Sequence, residues 1–319
     1  MNWIIKKFKT LLCRALKLMK LWANRVLHLI ESRHGIEDNS FEFPPIFIIG
    51  PPRSGSTLLF QVMVNAFNVN YTTNADAPWY GGISYRKKFF PLSQEDKKTD
   101  FNSTYGQTNG CNSPHECGEY WYQYFRRKPQ YVSLGEEDET KMKRLRRSLQ
   151  RITVAAKSPM LFKNMNCALR MGPLNQACPE ALYIVSHRSL LWNAHSLLKV
   201  RKKVSGDYEK WWSMEPQEVE KLKELPPEEQ VVEQINAIHK DIDLQRSTIG
   251  GDRFFDVDYE DLCRDPKGVV ILMNEFFKQH GLQMLSSLDN VPDSFHLSEK
   301  SRIDVSVFNK LSNYVGSEV

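Results

Sequence analysis

The segment Ile46-Phe47-Ile48-Ile49-Gly50-Pro51-Pro52-Arg53-Ser54-Gly55-Ser56-Thr57-Leu58-Leu59 constrains this chain more than any other. Four apolar residues bounded by Gly-Pro-Pro predict an interior strand of a parallel sheet. After the turn, Leu58, Leu59, Val62, Met63 and Ala66 recur at helical spacing. Strand, glycine turn and helix start together make an anion cradle, because the first backbone N–H groups of a helix have no intrahelical acceptor. Gly50 and Gly55 let the backbone bend and approach the anion, and Ser54, Ser56 and Thr57 add hydroxyl donors. A nucleotide-hydrolysing loop carries Lys and then Ser or Thr after its last glycine. Here Ser56 and Thr57 follow Gly55, and the cation, Arg53, precedes it. A planar guanidinium fork beside a small cradle suits a single phosphate-like group.

The remaining sequence reads as one α/β domain over residues 45–319, preceded by a basic amphipathic helix (1–35) and a polar linker (36–44). A chain of 319 residues, 41% hydrophobic, buries one large core or two small ones. Its net charge of +5 is uneven: residues 1–34 hold eight Lys or Arg and one Glu, a net of +7, whereas the remainder holds 35 basic and 37 acidic residues. The folded domain therefore offers no general nucleic-acid surface. Six scattered cysteines (Cys13, Cys111, Cys117, Cys167, Cys178, Cys263) lack metal-ligand spacing, and a reduced cytoplasmic protein is expected.

Within residues 3–30, Ile4, Phe8, Leu11, Leu12, Ala15, Leu18, Met19, Trp22, Val26, Leu29 and Ile30 fall on one side of a helix, and Gly35 supplies a stop signal. Charges interrupt every apolar run, which excludes both a membrane span and a cleavable signal peptide. An anionic membrane surface on the inner face, the protein's own domain or a second subunit would each cover such a stripe.

Further strands are expected over 68–74, 152–159, 181–186 and 254–262, with helices starting at Pro114 and covering 136–151 and 228–248. Asp76 follows the second strand at the sheet edge where ligands bind in open α/β folds, and is one candidate base. Residues 80–110 lead as a partly helical insertion to Ser113-Pro114-His115-Glu116-Cys117-Gly118-Glu119-Tyr120-Trp121, which is dense in side chains capable of proton transfer. Lys157 ends the expected third strand, pointing into the same crevice. Arg188 follows the fourth strand, and Ser196 lies eight residues on, just over two helical turns away.

Pro51-Pro52-Arg53-Ser54-Gly55-Ser56-Thr57-Leu58-Leu59 resembles the 5′-phosphosulfate loop of PAPS-dependent sulfotransferases, in particular bacterial-type members. Those enzymes move a sulfuryl group from 3′-phosphoadenosine-5′-phosphosulfate to a hydroxyl or amine. The resemblance spans residues 45–302 and implies a P-loop-like three-layer fold with a central parallel sheet of about five strands. It implies PAPS as co-substrate and no metal. Arg53 and the backbone of Ser54, Gly55, Ser56, Thr57 and Leu58 would hold the 5′-phosphosulfate. Arg188 and Ser196 match the family's 3′-phosphate grip, although Ser189-Leu190 replaces the usual Asp/Asn-Pro. Lys157 would neutralise the leaving oxygen, Glu116 or His115 would take the acceptor proton, and Lys300 and Arg302 would close over the nucleotide. The acceptor is left open, with a membrane-associated glycan, lipid or lipophilic metabolite suited to the N-terminal helix. Two other readings compete: a P-loop-type small-molecule kinase, which needs Mg²⁺ and the absent loop lysine, and a non-catalytic nucleotide-binding protein of the membrane surface.

Overall fold

The computed structural model describes residues 2–33, 41–93, 95–97, 99–104, 106–297 and 299–317. Gly35, most of the expected linker, Tyr105 and Ser298 lie outside them. Five parallel strands form one sheet in the order β2-β3-β1-β4-β5: β1 (Ile46–Ile49), β2 (Asn70–Tyr71), β3 (Met160–Lys163), β4 (Leu182–His187) and β5 (Phe254–Asp258). The helices are α1 (Asn2–Arg33), α2 (Ser56–Ala66), α3 (Ile83–Phe89), α4 (Gly118–Trp121), α5 (Glu139–Ala156), α6 (Met171–Ala177), α7 (Leu190–Ser205), α8 (Val219–Leu222), α9 (Pro227–Ile249), α10 (Tyr259–Arg264), α11 (Pro266–Gln279) and α12 (Val305–Ser317).

The period-two alternation of a strand divides the core into two layers. Phe47 and Ile49 point to one face and pack with Trp121, Leu149, Phe162 and Tyr183, beneath α5, α6 and α9. Ile46 and Ile48 point to the other and pack with Leu59, Val62, Leu161 and Phe277, beneath α2 and α11. A strand buried on both faces must read as an unbroken apolar run, and β1 does. This is the α/β three-layer fold that the sequence implied. A third cluster joins α7, α9 and α12 through Ala194, Val231, Ile235 and Leu311.

Several boundaries differ from the sequence expectation. The third strand lies at Met160–Lys163, because Ile152 completes a helical run through Met142, Leu145 and Leu149 that extends α5 to Ala156. Lys157 caps that helix in the left-handed region (φ 52°) and is exposed. The second strand shrinks to two residues, β5 ends at Asp258 where α10 begins, and the helix expected at Pro114 starts only at Gly118. The C-terminal segment, rather than trailing off, ends in α12 on the domain.

The polar side of α1 docks on the domain. Asn24 is 1% exposed, donates to Pro78 O (3.0 Å) and accepts from Gly81 N (2.8 Å). About two turns on, buried Glu31 accepts from the Ser84 backbone N–H (3.0 Å) and hydroxyl. A side chain at Gly81 would strike Asn24 O, its Cβ arriving 2.1 Å away. Asn24→Ala is expected to leave the buried Gly81 N–H unsatisfied and to lower stability by about 1–3 kcal/mol in urea unfolding.

Candidate active site

A cavity of about 360 Å³ opens over the C-terminal ends of the strands, between the loop after β1, the last residue of β3 and the residues after β4 and β5. In the first loop, Gly50, Arg53 and Gly55 all take positive φ (142°, 70° and 91°). The two glycines are required sterically. A Cβ at Gly50 would sit 2.6 Å from Ser186 O, and one at Gly55 would sit 2.2 Å from the Tyr259 ring. Arg53 is held in the left-handed region against its own Cβ preference. Its carbonyl accepts from Arg188 Nη1 (3.3 Å) and, with the buried Asn193 amide oriented to donate, from Asn193 (3.1 Å). Ser186 Oγ donates to Ser54 O (2.8 Å) beneath the loop. α2 begins at Ser56, so its first N–H groups face the cavity end of the turn without intrahelical acceptors.

Arg53, Gly55, Ser56, Thr57, Leu58, Glu116 and Arg188 all line the cavity. Ser54 is fully buried behind the loop instead. Ser196 does not line the cavity, but it accepts from Arg53 Nε (3.1 Å) at the base of the loop. Arg188 stacks over the Tyr259 ring at 4.7 Å, and its Nε is buried with no hydrogen-bond partner. Lys300 and Arg302 stand outside the cavity, and the Arg302 backbone N–H donates to His195 Nε2 (3.0 Å).

Lys157 is not part of this site. The cation at the end of β3 is Lys163, in register with Ile48 of β1 and 3% exposed. Its ammonium lies 3.0 Å from Thr57 Oγ1 and 2.5 Å from Glu116 Oε1. The sequence carried the signal: Pro159 precedes an apolar run, Met160-Leu161-Phe162, that ends in a lysine. Asn164, Asn166, Gln130, Trp212, Ser213 and Tyr259 also line the cavity and were missed, because nothing local marks them.

Two candidate bases fall away from the cavity. His115 does not line it, and its Nδ1 accepts from the Cys117 backbone N–H (2.9 Å), so the neutral ring carries its proton on Nε2. Burial, with Lys163 adding to it and against the pull of Glu116, holds this imidazole below its ordinary pKa. Asp76 is 3% exposed and occupied: it accepts from Thr73, from Lys87 Nζ (2.7 Å) and from Arg86 Nε (2.9 Å). Burial works against its charge, but Lys87, Thr73 and Arg86 together hold the carboxyl below its ordinary value. Among the described residues, no group of three or more His, Cys, Asp or Glu side chains is placed to hold a metal ion.

A family model described as "Sulfotransferase family" matches residues 44–279. The fold is similar to that of sulfotransferase STF9 from Mycobacterium avium, with a TM-score of 0.59 at 16% identity over 91% of this chain and 81% of that one. Sulfotransferase STF1 from Mycobacterium tuberculosis H37Rv gives 0.51 at 17% identity over 94% and 85%. No curated protein matches the sequence at a significant level.

Asp76→Asn strips the buried Lys87 ammonium of its charge partner. It should cost roughly 3–5 kcal/mol in denaturant unfolding, whereas Lys157→Ala, at an exposed position, should cost little. Because the folded pKa of Asp76 is depressed, its stabilisation is complete above about pH 4 and fades as pH falls through the folded value. Acid unfolding of the wild type should show that loss, and Asp76→Asn should flatten it.

Proposed function

The chain belongs to the sulfotransferase family, and on that footing we propose that it transfers the sulfuryl group of PAPS to a hydroxyl of an acceptor. The observation that carries this reading is the charge of the cavity: among the described residues its lining includes three cations, Arg53, Lys163 and Arg188, against the one carboxylate of Glu116. Such a lining favours a polyanion, and the buried, partnerless Nε of Arg188 is a donor still in want of an acceptor. The positive φ at Gly50 and Gly55 turns the loop tightly into the start of α2, whose first N–H groups can receive a phosphate-sized group.

PAPS would bring the activated sulfuryl group and a good leaving group, adenosine 3′,5′-bisphosphate. Arg53 and the N–H groups at the start of α2 would hold the 5′ end. Arg188 would take the 3′-phosphate, with Ser196 setting the direction of the Arg53 guanidinium rather than touching the ligand. Lys163, fixed between Thr57 and Glu116, would offset the charge that develops on the departing bridging oxygen. Glu116 would accept the hydroxyl proton as the new O–S bond forms, and its 34% exposure leaves an approach for the acceptor. The carboxylate is already on the ammonium, so proton arrival at Glu116 would weaken that pair while charge builds beside Lys163. Positioning and fixed charge would supply most of the rate in such an in-line transfer.

Calorimetry with adenosine 3′,5′-bisphosphate tests the donor site without knowledge of the acceptor. Metal-independent binding is expected, weakened about 10- to 100-fold by Arg188→Ala, as loss of charge-assisted hydrogen bonds should do. Lys157→Ala should bind like the wild type. Binding of Mg-ATP in place of the bisphosphate, or indifference to Arg188→Ala, would overturn the assignment. With an acceptor in hand, Lys163→Ala is expected to lower kcat about 10²-fold or more at unchanged acceptor KM.

A further inference from the structure

We propose that α1 attaches the protein to an anionic bilayer surface through the side that it turns away from its own domain. A surface helix of a globular protein normally buries its apolar stripe and exposes its polar one. Here the arrangement is inverted. Asn24, Leu27 and Glu31, spaced on one side, meet Pro78, Gly81, Gly82 and Ser84. On the opposite side Leu18 is 66% exposed, Met19 66%, Trp22 68% and Leu29 54%. Polar residues have been used as the glue, which leaves a long apolar stripe facing outward.

A neighbouring element carries further exposed aromatic residues. α3, gripped by Glu31 through Ser84, ends in Phe89 and Phe90, both well exposed, with Lys88 5.8 Å from the first ring and Arg86 5.2 Å from the second. Aromatic rings beside cations suit the boundary between headgroups and acyl chains.

Charge selects the occupant. Arg14, Lys17, Lys20 and Arg25 are exposed along α1, and residues 1–34 carry a net +7. A second copy of the chain would bring another +7 against the first, whereas an anionic lipid surface is complementary to it. Among the described residues no helix is long and apolar enough to cross a membrane, so α1 would lie flat on the surface.

Co-sedimentation of the full chain with mixed phosphatidylcholine–phosphatidylserine vesicles, at low salt and at about 0.5 M salt, tests the proposal. The protein should pellet with the mixed vesicles at low salt, be released by high salt, and ignore pure phosphatidylcholine. Leu18→Glu/Trp22→Glu should weaken partitioning at least about tenfold while leaving the melting temperature unchanged, since neither side chain holds the domain together. Arg14→Gln/Lys17→Gln/Lys20→Gln should remove most of the salt-sensitive part. Failure to pellet, equal pelleting by the glutamate variant, or a drop in its melting temperature would each overturn the proposal. So would a dimer in light scattering that the same variant dissolves, which would give the stripe to a second copy.

Discussion

A buried ammonium governs this site. Lys163 sits at the end of β3 with almost no solvent contact, and removing such a charge from water costs several kcal/mol unless partners surround it. Among the described residues its partners come from segments far apart in sequence: Thr57 from the first turn of α2 and Glu116 from the loop before α4. Satisfying one cation therefore fixes the anion loop, the third strand and the acidic loop relative to one another. The geometry of the cavity follows from that triangle as much as from the sheet beneath it.

The same economy appears on the other flank. Arg53 is held in an unfavourable backbone conformation by Arg188 and Asn193 acting on its carbonyl, while its guanidinium is directed by Ser196. Of the residues that hold it, Asn193 and Ser196 lie on α7 and Arg188 just ahead of that helix, so β4 and α7 act as a brace for the loop after β1. A strained residue persists only where its surroundings over-determine it, and this one has several such determinants.

Much of this was legible in the sequence, for physical reasons that can be named. The interior strand at Ile46–Ile49 was readable because an apolar tetrad closed by Gly-Pro-Pro is short for a helix and too apolar to face water. Arg188 was reachable through the family resemblance and lines the cavity, whereas Ser196, matched with it as a phosphate grip, accepts from Arg53 Nε at the base of the loop. The lysine was not legible. Ile152-Thr153-Val154 is rich in β-branched residues and reads as a strand when taken alone, but the period set by Met142, Leu145 and Leu149 carries the helix through it. Packing overrode local propensity, and the site cation moved six residues along the chain. Asp76 misled in a different way: its position at the sheet edge was a sound signal, but Lys87, eleven residues on, consumes it. Such a pairing depends on the path of an insertion that carries no period.

The contact between Gly55 and the Tyr259 ring ties two kinds of tolerance together. The ring fills the space that a side chain at position 55 would need, and it also carries the Arg188 guanidinium. Anything larger at position 55 would be transmitted through the aromatic plane to Arg188. A smaller residue at 259 would open space beside position 55 without removing the strain of its φ of 91°, and would leave the guanidinium without its platform. Position 55 is therefore closed to change twice over, and the ring at 259 answers at once to the glycine beneath it and to the arginine it carries.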